Sequence, residues 1–182
     1  CGFASVSDVQ VGVFAVNGDV LKGGIGKANS AKIAKCVNNA VKMNAPVIGV
    51  IDSCGARFAE GIEAMEGYSA IFSAFSSAYG VVPTILVVKG SNFGMLSYLS
   101  AICDFTLCYD KSVTATSSPL ILVAGTTADA AKVGTGEAMA KAGIASAVVK
   151  TDAELAKTVK ALVSVVCEGV VPSEDDGNRV CK

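Results

Sequence analysis

Two glycine-bearing turns, each between an apolar run and a helical pattern, carry the residues that could do chemistry. Residues 52–61 (DSCGARFAEG) follow the apolar run 46–51, and residues 89–95 (KGSNFGM) follow the apolar run 83–88. A turn that leads into a helix leaves backbone N–H groups free, and these groups can bind an anion or a polarised carbonyl oxygen. The two turns therefore suggest an enzyme that works through backbone amides.

The chain contains no histidine. Serine–histidine triads, histidine-liganded zinc sites and imidazole general bases are thereby excluded. The seven cysteines are odd in number, several lie within apolar runs, and none forms C-x-x-C. They are interpreted as reduced cysteines of a cytoplasmic protein, not as a disulfide framework, and no metal site is expected.

A third glycine cluster lies upstream at residues 23–26 (GGIG). Its spacing matches neither the phosphate-binding G-x-x-x-x-G-K-[ST] pattern nor the dinucleotide-binding G-x-G-x-x-G pattern. A tight packing loop is the interpretation that the residues alone favour.

The composition is that of one heavily buried domain. Of the 182 residues, 52% are apolar and only 17% are charged, so some apolar surface is expected to meet a partner in an oligomer. The net charge is −1 and the basic residues are scattered, so nucleic acid is not an expected partner. No apolar run approaches the ~20 residues of a membrane span, and residues 1–20 lack the pattern of a signal peptide.

Apolar runs and helical periodicities alternate along the chain. Strands are predicted at residues 9–16, 47–51, 83–88, 104–109 and 145–149, and helices at residues 31–44, 61–79, 94–101, 128–141 and 151–166. Ser30 is predicted to cap the first helix, and residues 151–154 (TDAE) form a capping box for the last. Residues 112–126 receive no assignment. This alternation favours a mostly parallel sheet in one α/β domain of residues 1–168, followed by a polar tail of residues 169–182.

The helix predicted at residues 61–79 has a long apolar stripe that is expected to face the core, not a cofactor. Its members are Ile62, Met65, Tyr68, Ile71, Phe72, Phe75 and Tyr79.

Taken in chain order, these motifs resemble the carboxyltransferase family of biotin-dependent acyl-CoA carboxylases and decarboxylases. The resemblance is to the N-terminal half of that two-part enzyme and covers residues 2–167. The matching stretches are residues 23–26, 32–33, 52–61, 67–72, 80–83, 90–96, 104–105, 143–145 and 151–166. The resemblance implies the crotonase-like (ClpP/crotonase) ββα-superhelix fold.

In this family the acyl-CoA lies in the N-terminal half, where backbone amides hold the thioester carbonyl as it becomes an enolate. CO2 passes between that carbon and biotin, which is borne on a separate carrier protein. The resemblance assigns the catalytic amides to Gly94 and Met95. It assigns the acyl-CoA cleft to five residues of the other two turns, namely Gly23, Gly24, Gly55, Ala56 and Arg57.

Three positions have a second interpretation from the residues alone. Gly94 could serve a close contact between helix and sheet, and Arg57 could form a surface ion pair with Glu60 or Glu63. Tyr98, one turn past the predicted amides, is expected in the core.

The sequence departs from the family at Cys54 and Met95, where the family has the second glycine of a pair. The family's C-terminal half, which builds the biotin side of the site, has no counterpart in this sequence. A complete site is therefore expected to need a partner chain, a paralogous carboxyltransferase half-subunit, in a homo- or hetero-oligomer with the biotin carrier.

Two other functions stay open. A crotonase-type hydratase or isomerase also uses two amide turns, but it needs carboxylates beside the cleft. No acid follows Gly94 until Asp104, and Glu137 is the isolated candidate. A non-catalytic scaffold or regulatory half-subunit would keep the fold and lose the chemistry at Cys54 and Met95.

Overall fold

The computed structural model describes residues 1–167, which fold around a single seven-stranded sheet. The strands are β1 (Gly2–Val6), β2 (Val9–Val16), β3 (Val47–Ser53), β4 (Thr84–Phe93), β5 (Phe105–Tyr109), β6 (Val113–Ala115) and β7 (Ala147–Val149). The helices are α1 (Lys27–Lys42), α2 (Ile62–Ala78), α3 (Leu99–Ile102), α4 (Pro119–Leu122), α5 (Gly136–Lys141) and α6 (Asp152–Cys167). Short 3₁₀ helices lie at Leu21–Gly23, Phe58–Glu60, Gly94–Tyr98 and Ala130–Lys132.

The sheet is parallel except at one edge, as the alternation of strands and helices predicts. Its order is β1-β2-β3-β4-β5-β7, with β6 paired to the end of β4, and only β1 and β2 are antiparallel. Ile51 of β3 pairs with Val88 of β4, and Ser53 pairs with Asn92. Because neighbouring parallel strands end at the same edge, the turns after β3 and β4 lie side by side.

Helices cover both faces of the sheet. Helices α1 and α2 pack over one core, where the rings of Phe14 and Phe75 meet edge to face with centroids 6.0 Å apart. Helix α6 covers the other face, where Val163 packs with Ile48 and Ile85. The central strands are therefore buried on both sides, which explains their continuous apolar runs.

Helix α2 and helix α6 confirm the predicted helices, but α1 begins earlier than predicted. The predicted cap, Ser30, is buried inside α1, and the N-cap is Gly26. The Asn29 side-chain oxygen accepts the Gly26 N–H at 2.7 Å, and Glu60 Oε2 accepts the Lys27 N–H at 2.7 Å. The prediction at Ser30 was wrong because a carboxylate 33 residues further along satisfies this N-terminus.

The turn predicted at residues 89–93 is instead the end of strand β4. Phe93 pairs with Ala115 of β6, and the Ser91 N–H donates to Asp52 Oδ1 at 2.8 Å. These partners are distant in sequence, so the local glycine pattern indicated a turn where pairing extends the strand. The 3₁₀ helix therefore starts at Gly94, immediately after the last residue of β4.

The helix predicted at residues 128–141 was largely wrong. Only α5, its last part, is α-helical. Gly134 has φ +68° and its carbonyl accepts the Thr114 N–H at 2.8 Å. A left-handed residue cannot continue a right-handed helix, so the segment before α5 turns to meet β6.

Strands β1 and β6 were not predicted. A two-residue turn joins β1 to β2, and both of its residues, Ser7 and Asp8, have positive φ (49° and 64°). This is the backbone of a hairpin turn that glycine and asparagine usually occupy, so the composition gave little signal.

The apolar stripe of α2 faces the core only in its middle. Tyr68, Ile71 and Phe75 are buried there. The core positions predicted for four other residues were wrong, because Ile62, Met65, Tyr79 and Tyr98 are exposed.

The cysteines at positions 1, 36, 54, 103, 108 and 167 are free thiols. No helix of residues 1–167 combines the length and apolar character needed to cross a bilayer. The predicted tail, residues 169–182, lies outside the described residues.

Candidate active site

Ser53, the last residue of β3, ties two glycine turns together. Its buried hydroxyl donates to the Gly23 carbonyl at 2.6 Å and accepts the Gly55 N–H at 3.1 Å. Gly23 has φ +65°, and a Cβ there would lie 2.0 Å from the Asp52 carbonyl oxygen. The turn after β3 and the upstream glycine loop therefore form one unit that accepts only glycine at position 23.

The turn after β4 lies against the turn after β3. Gly94 has φ +71° and begins the 3₁₀ helix, whose Ser97 hydroxyl donates back to the Gly94 carbonyl at 2.7 Å. A Cβ built on Gly94 would be 3.8 Å from Gly55 Cα, and one built on Gly55 would be 3.2 Å from the Phe93 carbonyl oxygen. The two predicted turns thus touch through glycine backbones.

These two turns line one cavity of about 480 Å³, here called the turn cavity. Its lining consists of Cys54, Gly55, Ala56, Phe58, Met65, Tyr68, Phe93, Gly94, Met95, Thr116, Ser117 and Ser118. The walls are largely apolar, and no Asp, Glu, Lys or Arg among the described residues lines them. The cavity therefore lies between two glycine turns in apolar surroundings.

The remaining predicted residues line a neighbouring cleft of about 300 Å³, here called the glycine-loop cleft. Gly23, Gly24 and Arg57 lie there together with Lys32 of α1. Two backbone hydrogen bonds join the turn after β3 to the glycine loop, from Ile25 N–H to the Gly55 carbonyl at 2.8 Å and from Arg57 N–H to the Ile25 carbonyl at 2.7 Å. The structure therefore brings all seven predicted site residues into two adjoining hollows.

Arg57 forms the predicted ion pair, and its partner is Glu60. Arg57 Nη1 lies 2.5 Å from Glu60 Oε1, and Nη2 donates to the Gly24 carbonyl at 3.1 Å. The Lys27 N–H bound to the Glu60 carboxylate lowers the pKa of that carboxyl, and Arg57 lowers it further. The guanidinium thus fixes the glycine loop while still lining the cleft.

The Asp52 carboxylate, near the end of β3, binds the end of β4. It accepts the Ser91 N–H and lies so close to Gly18 and Gly90 that a Cβ on either would approach its oxygens to 2.2 Å or 2.4 Å. No role was predicted for Asp52 or Ser53. Their position could have indicated one, because they are polar residues at the end of a buried strand.

Both departures from the family pattern lie in the turn cavity. Cys54 is exposed at its wall, and Met95 is 40% exposed there. Tyr68 and residues 116–118 were not predicted to line the site, since a tyrosine on a helical stripe resembles any core residue.

Glu137, the carboxylate considered for a hydratase, lies exposed in the first turn of α5 and does not line the turn cavity. Tyr98 lines a separate hollow of about 290 Å³ with Ser97 and Thr114.

Comparison with known proteins identifies the family of this chain. The model of the family described as carboxyl transferase domain matches residues 1–177. The propionyl-CoA carboxylase beta chain of Roseobacter denitrificans is 32% identical over 166 residues, which are 89% of this chain and 32% of that protein. The methylmalonyl-CoA decarboxylase subunit alpha of Veillonella parvula is 38% identical over 104 residues, which are 57% of this chain and 20% of that protein.

Solved structures give the same result for the fold. A transcarboxylase 12S structure with hydrolysed methylmalonyl-CoA bound aligns over 90% of this chain and 32% of its own, with a TM-score of 0.83 and 28% identity. A Pseudomonas malonate decarboxylase hetero-dimer aligns over 92% of this chain and 75% of its own, with a TM-score of 0.81 and 20% identity. The chain belongs to the carboxyl transferase domain family and has its crotonase-like fold. It spans about a third or less of the curated relatives it matches.

Proposed function

We propose that this chain is the acyl-CoA half of a biotin-dependent carboxyltransferase that acts in an acyl-CoA carboxylase or decarboxylase. The observation that carries the proposal is the contact of two glycine turns around one apolar cavity. In such a cavity preorganised amides stabilise the oxygen of a thioester as it becomes an enolate. The reaction then needs no nucleophile from the protein.

The amides of Met95 and Ala56 are the best placed donors for that oxygen. Met95 lies in the first turn of the 3₁₀ helix, where N–H groups have no partner within the helix. Ala56 N–H has no hydrogen-bond partner among residues 1–167, whereas its neighbours Gly55 and Arg57 donate to Ser53 and Ile25. Gly94 supplies the left-handed backbone that turns the chain from β4 into the helix, and its own N–H is the third candidate.

The remainder of the acyl-CoA would lie along the glycine-loop cleft. Gly23 and Gly24 allow close approach to the backbone, and Arg57 and Lys32 add positive charge beside it. Phosphate groups of coenzyme A match this charge.

Biotin on a separate carrier would exchange CO2 with the acyl carbon from the exposed side of the turn cavity. Phe58 lines that cavity and is 93% exposed, so the cavity reaches the surface. Residues Leu120 and Ile121 of α4, just after the lining Ser118, are also exposed. We propose that this apolar rim meets a paralogous half-subunit, which completes the site in a hetero- or homo-oligomer.

The lining of the turn cavity weighs against a hydratase or isomerase, because those enzymes move protons with carboxylates beside the thioester. The scaffold alternative rests on Met95, whose side chain lines the same cavity and could crowd a ligand.

A pair of substitutions at Met95 tests the amide role. Met95→Pro removes the N–H at a position in the first turn of a helix, where proline is tolerated, and Met95→Ala keeps it. With the partner half and the biotin carrier present, Met95→Pro should lower acyl-CoA-dependent decarboxylation of carboxybiotin by about 10²–10³-fold. Met95→Ala should retain the activity or raise it.

Equal activity of the folded Pro and Ala variants would refute the amide role of Met95. No activity with any partner half, together with no binding of acyl-CoA by the unsubstituted chain, would favour the scaffold.

A further inference from the structure

Tyr68 presents a buried hydroxyl that nothing in the described structure uses. Its side chain is 0% exposed on α2, and its hydroxyl oxygen has no hydrogen-bond partner among residues 1–167. Buried hydroxyls are almost always hydrogen-bonded, so an unpaired one indicates a partner that is missing from the chain itself.

The place of Tyr68 shows where that partner would come from. Tyr68 lines the turn cavity, on whose wall lie Gly94 and Met95. Of the polar side chains in this lining, Thr116 and Ser118 are exposed and Ser117 is half-buried, so Tyr68 is the deepest. A ligand group that reaches the bottom of the cavity would lie beside the Tyr68 side chain.

The hydroxyl can act there only as a neutral hydrogen-bond donor or acceptor. Burial, with a smaller contribution from the nearby Cys54, raises the pKa of the hydroxyl to about 12. No basic side chain among residues 1–167 lines the cavity. An anionic acceptor would therefore be the ligand group that gains most, since hydrogen bonds to ionised groups are about twice as strong as neutral ones.

We propose that Tyr68 is a specificity-determining residue that donates its hydroxyl hydrogen to the free carboxylate of an acyl-CoA carrying a carboxyl group beside the thioester. This inference rests on the proposed function, in which the amides of Ala56 and Met95 occupy the thioester oxygen. The acyl group then presents a second acceptor, and Tyr68 is the remaining buried donor. Acyl-CoAs without that carboxylate leave the hydroxyl unpaired and gain nothing from it.

Two acyl-CoAs that differ only in this carboxylate test the inference. Propionyl-CoA and methylmalonyl-CoA are titrated by calorimetry into the full chain, into Tyr68→Phe and into the control Tyr79→Phe, which alters an exposed tyrosine at the end of the same helix. Tyr68→Phe should weaken binding of methylmalonyl-CoA about tenfold or more and change binding of propionyl-CoA by less than about twofold. Tyr79→Phe should change neither.

The unsubstituted chain provides a second readout that needs no variant. Methylmalonyl-CoA should perturb the near-ultraviolet tyrosine absorption more strongly than propionyl-CoA. The assignment is overturned if Tyr68→Phe weakens both ligands equally or neither, or if the two ligands perturb the spectrum alike. Binding of neither ligand by the unsubstituted chain would overturn the acyl-CoA cleft itself and this inference with it.

Discussion

Two glycines outside the strands serve different purposes, and a matched pair of substitutions separates them. Gly23 and Gly80 both have left-handed φ, at +65° and +70°. A Cβ on Gly23 would collide with the Asp52 carbonyl oxygen, whereas a Cβ on Gly80 would meet nothing within 4 Å. Of these two glycines, Gly23 alone therefore combines backbone strain with a steric clash.

Gly23→Ala is expected to lower the free energy of unfolding by about 3 kcal/mol or more, since strain and overlap add. Gly80→Ala should lower it by about 1–2 kcal/mol, the cost of the left-handed conformation alone. Urea denaturation of both variants measures the difference. Equal losses would contradict the clash at Gly23.

At the scale of elements, acid should loosen the junction between the glycine loop and α1. Glu60 joins them by accepting the Lys27 N–H and pairing with Arg57. Its pKa is lowered in the folded chain. A carboxyl with a lowered folded pKa stabilises the fold above its unfolded pKa, and that contribution is lost as the pH falls through the folded pKa.

The difference in unfolding free energy between the unsubstituted chain and Glu60→Gln should therefore be largest near neutral pH. It should shrink as the pH falls below the ordinary glutamate pKa of about 4.3. Denaturation curves from neutral pH to acid check this, with Glu137→Gln as a control on an exposed carboxyl of α5. A difference that stays constant over this range would show that the Glu60 charge contributes nothing.

The elements that sequence predicts well are those whose own residues carry an apolar pattern. Apolar runs predicted β2, β3 and β5, and a helical stripe predicted α2. Burial of one or both faces of an element produces a recognisable order of apolar residues. The N-terminus of α1, the end of β4 and the segment before α5 depend on Glu60, Ala115 and Thr114 instead. Contacts between residues distant in sequence produce no periodic pattern of apolar residues.

The candidate site also has features that local sequence predicts and features that depend on distant contacts. The motifs located both turns, since strand, glycine and helix follow one another in the chain. They could not show that Gly55 and Gly94 touch, nor that Tyr68 lacks a partner, because both facts depend on how β3, β4 and α2 pack together.

At the scale of the whole molecule, the apolar rim should govern assembly. Leu120 and Ile121 of α4 are 73% and 66% exposed beside the turn cavity. Contiguous exposed apolar surface is typical of interfaces, which supports the proposed contact with a partner half. We expect the double substitution Leu120→Glu with Ile121→Glu to abolish association with a partner half and leave the fold intact.

Native mass spectrometry of the purified complex measures that association, and circular dichroism checks the fold. Val81→Glu is the control, since Val81 is also exposed but precedes the start of β4, at the opposite edge of the sheet. Unchanged assembly in the double variant, or equal loss with Val81→Glu, would exclude the rim as the interface.

The contact between Gly55 and Gly94 also limits how this cavity can diversify. Both glycines have positive φ, at +106° and +71°, and a Cβ on either would lie in van der Waals contact with the other's Cα, at 4.0 Å and 3.8 Å. Replacements at the two positions are therefore epistatic, because neighbouring changes do not add. A lineage or a combinatorial library that seeks new acyl specificities would find its tolerated variation at Cys54 and Met95, the adjacent positions that line the cavity, while positive φ favours glycine at 55 and 94.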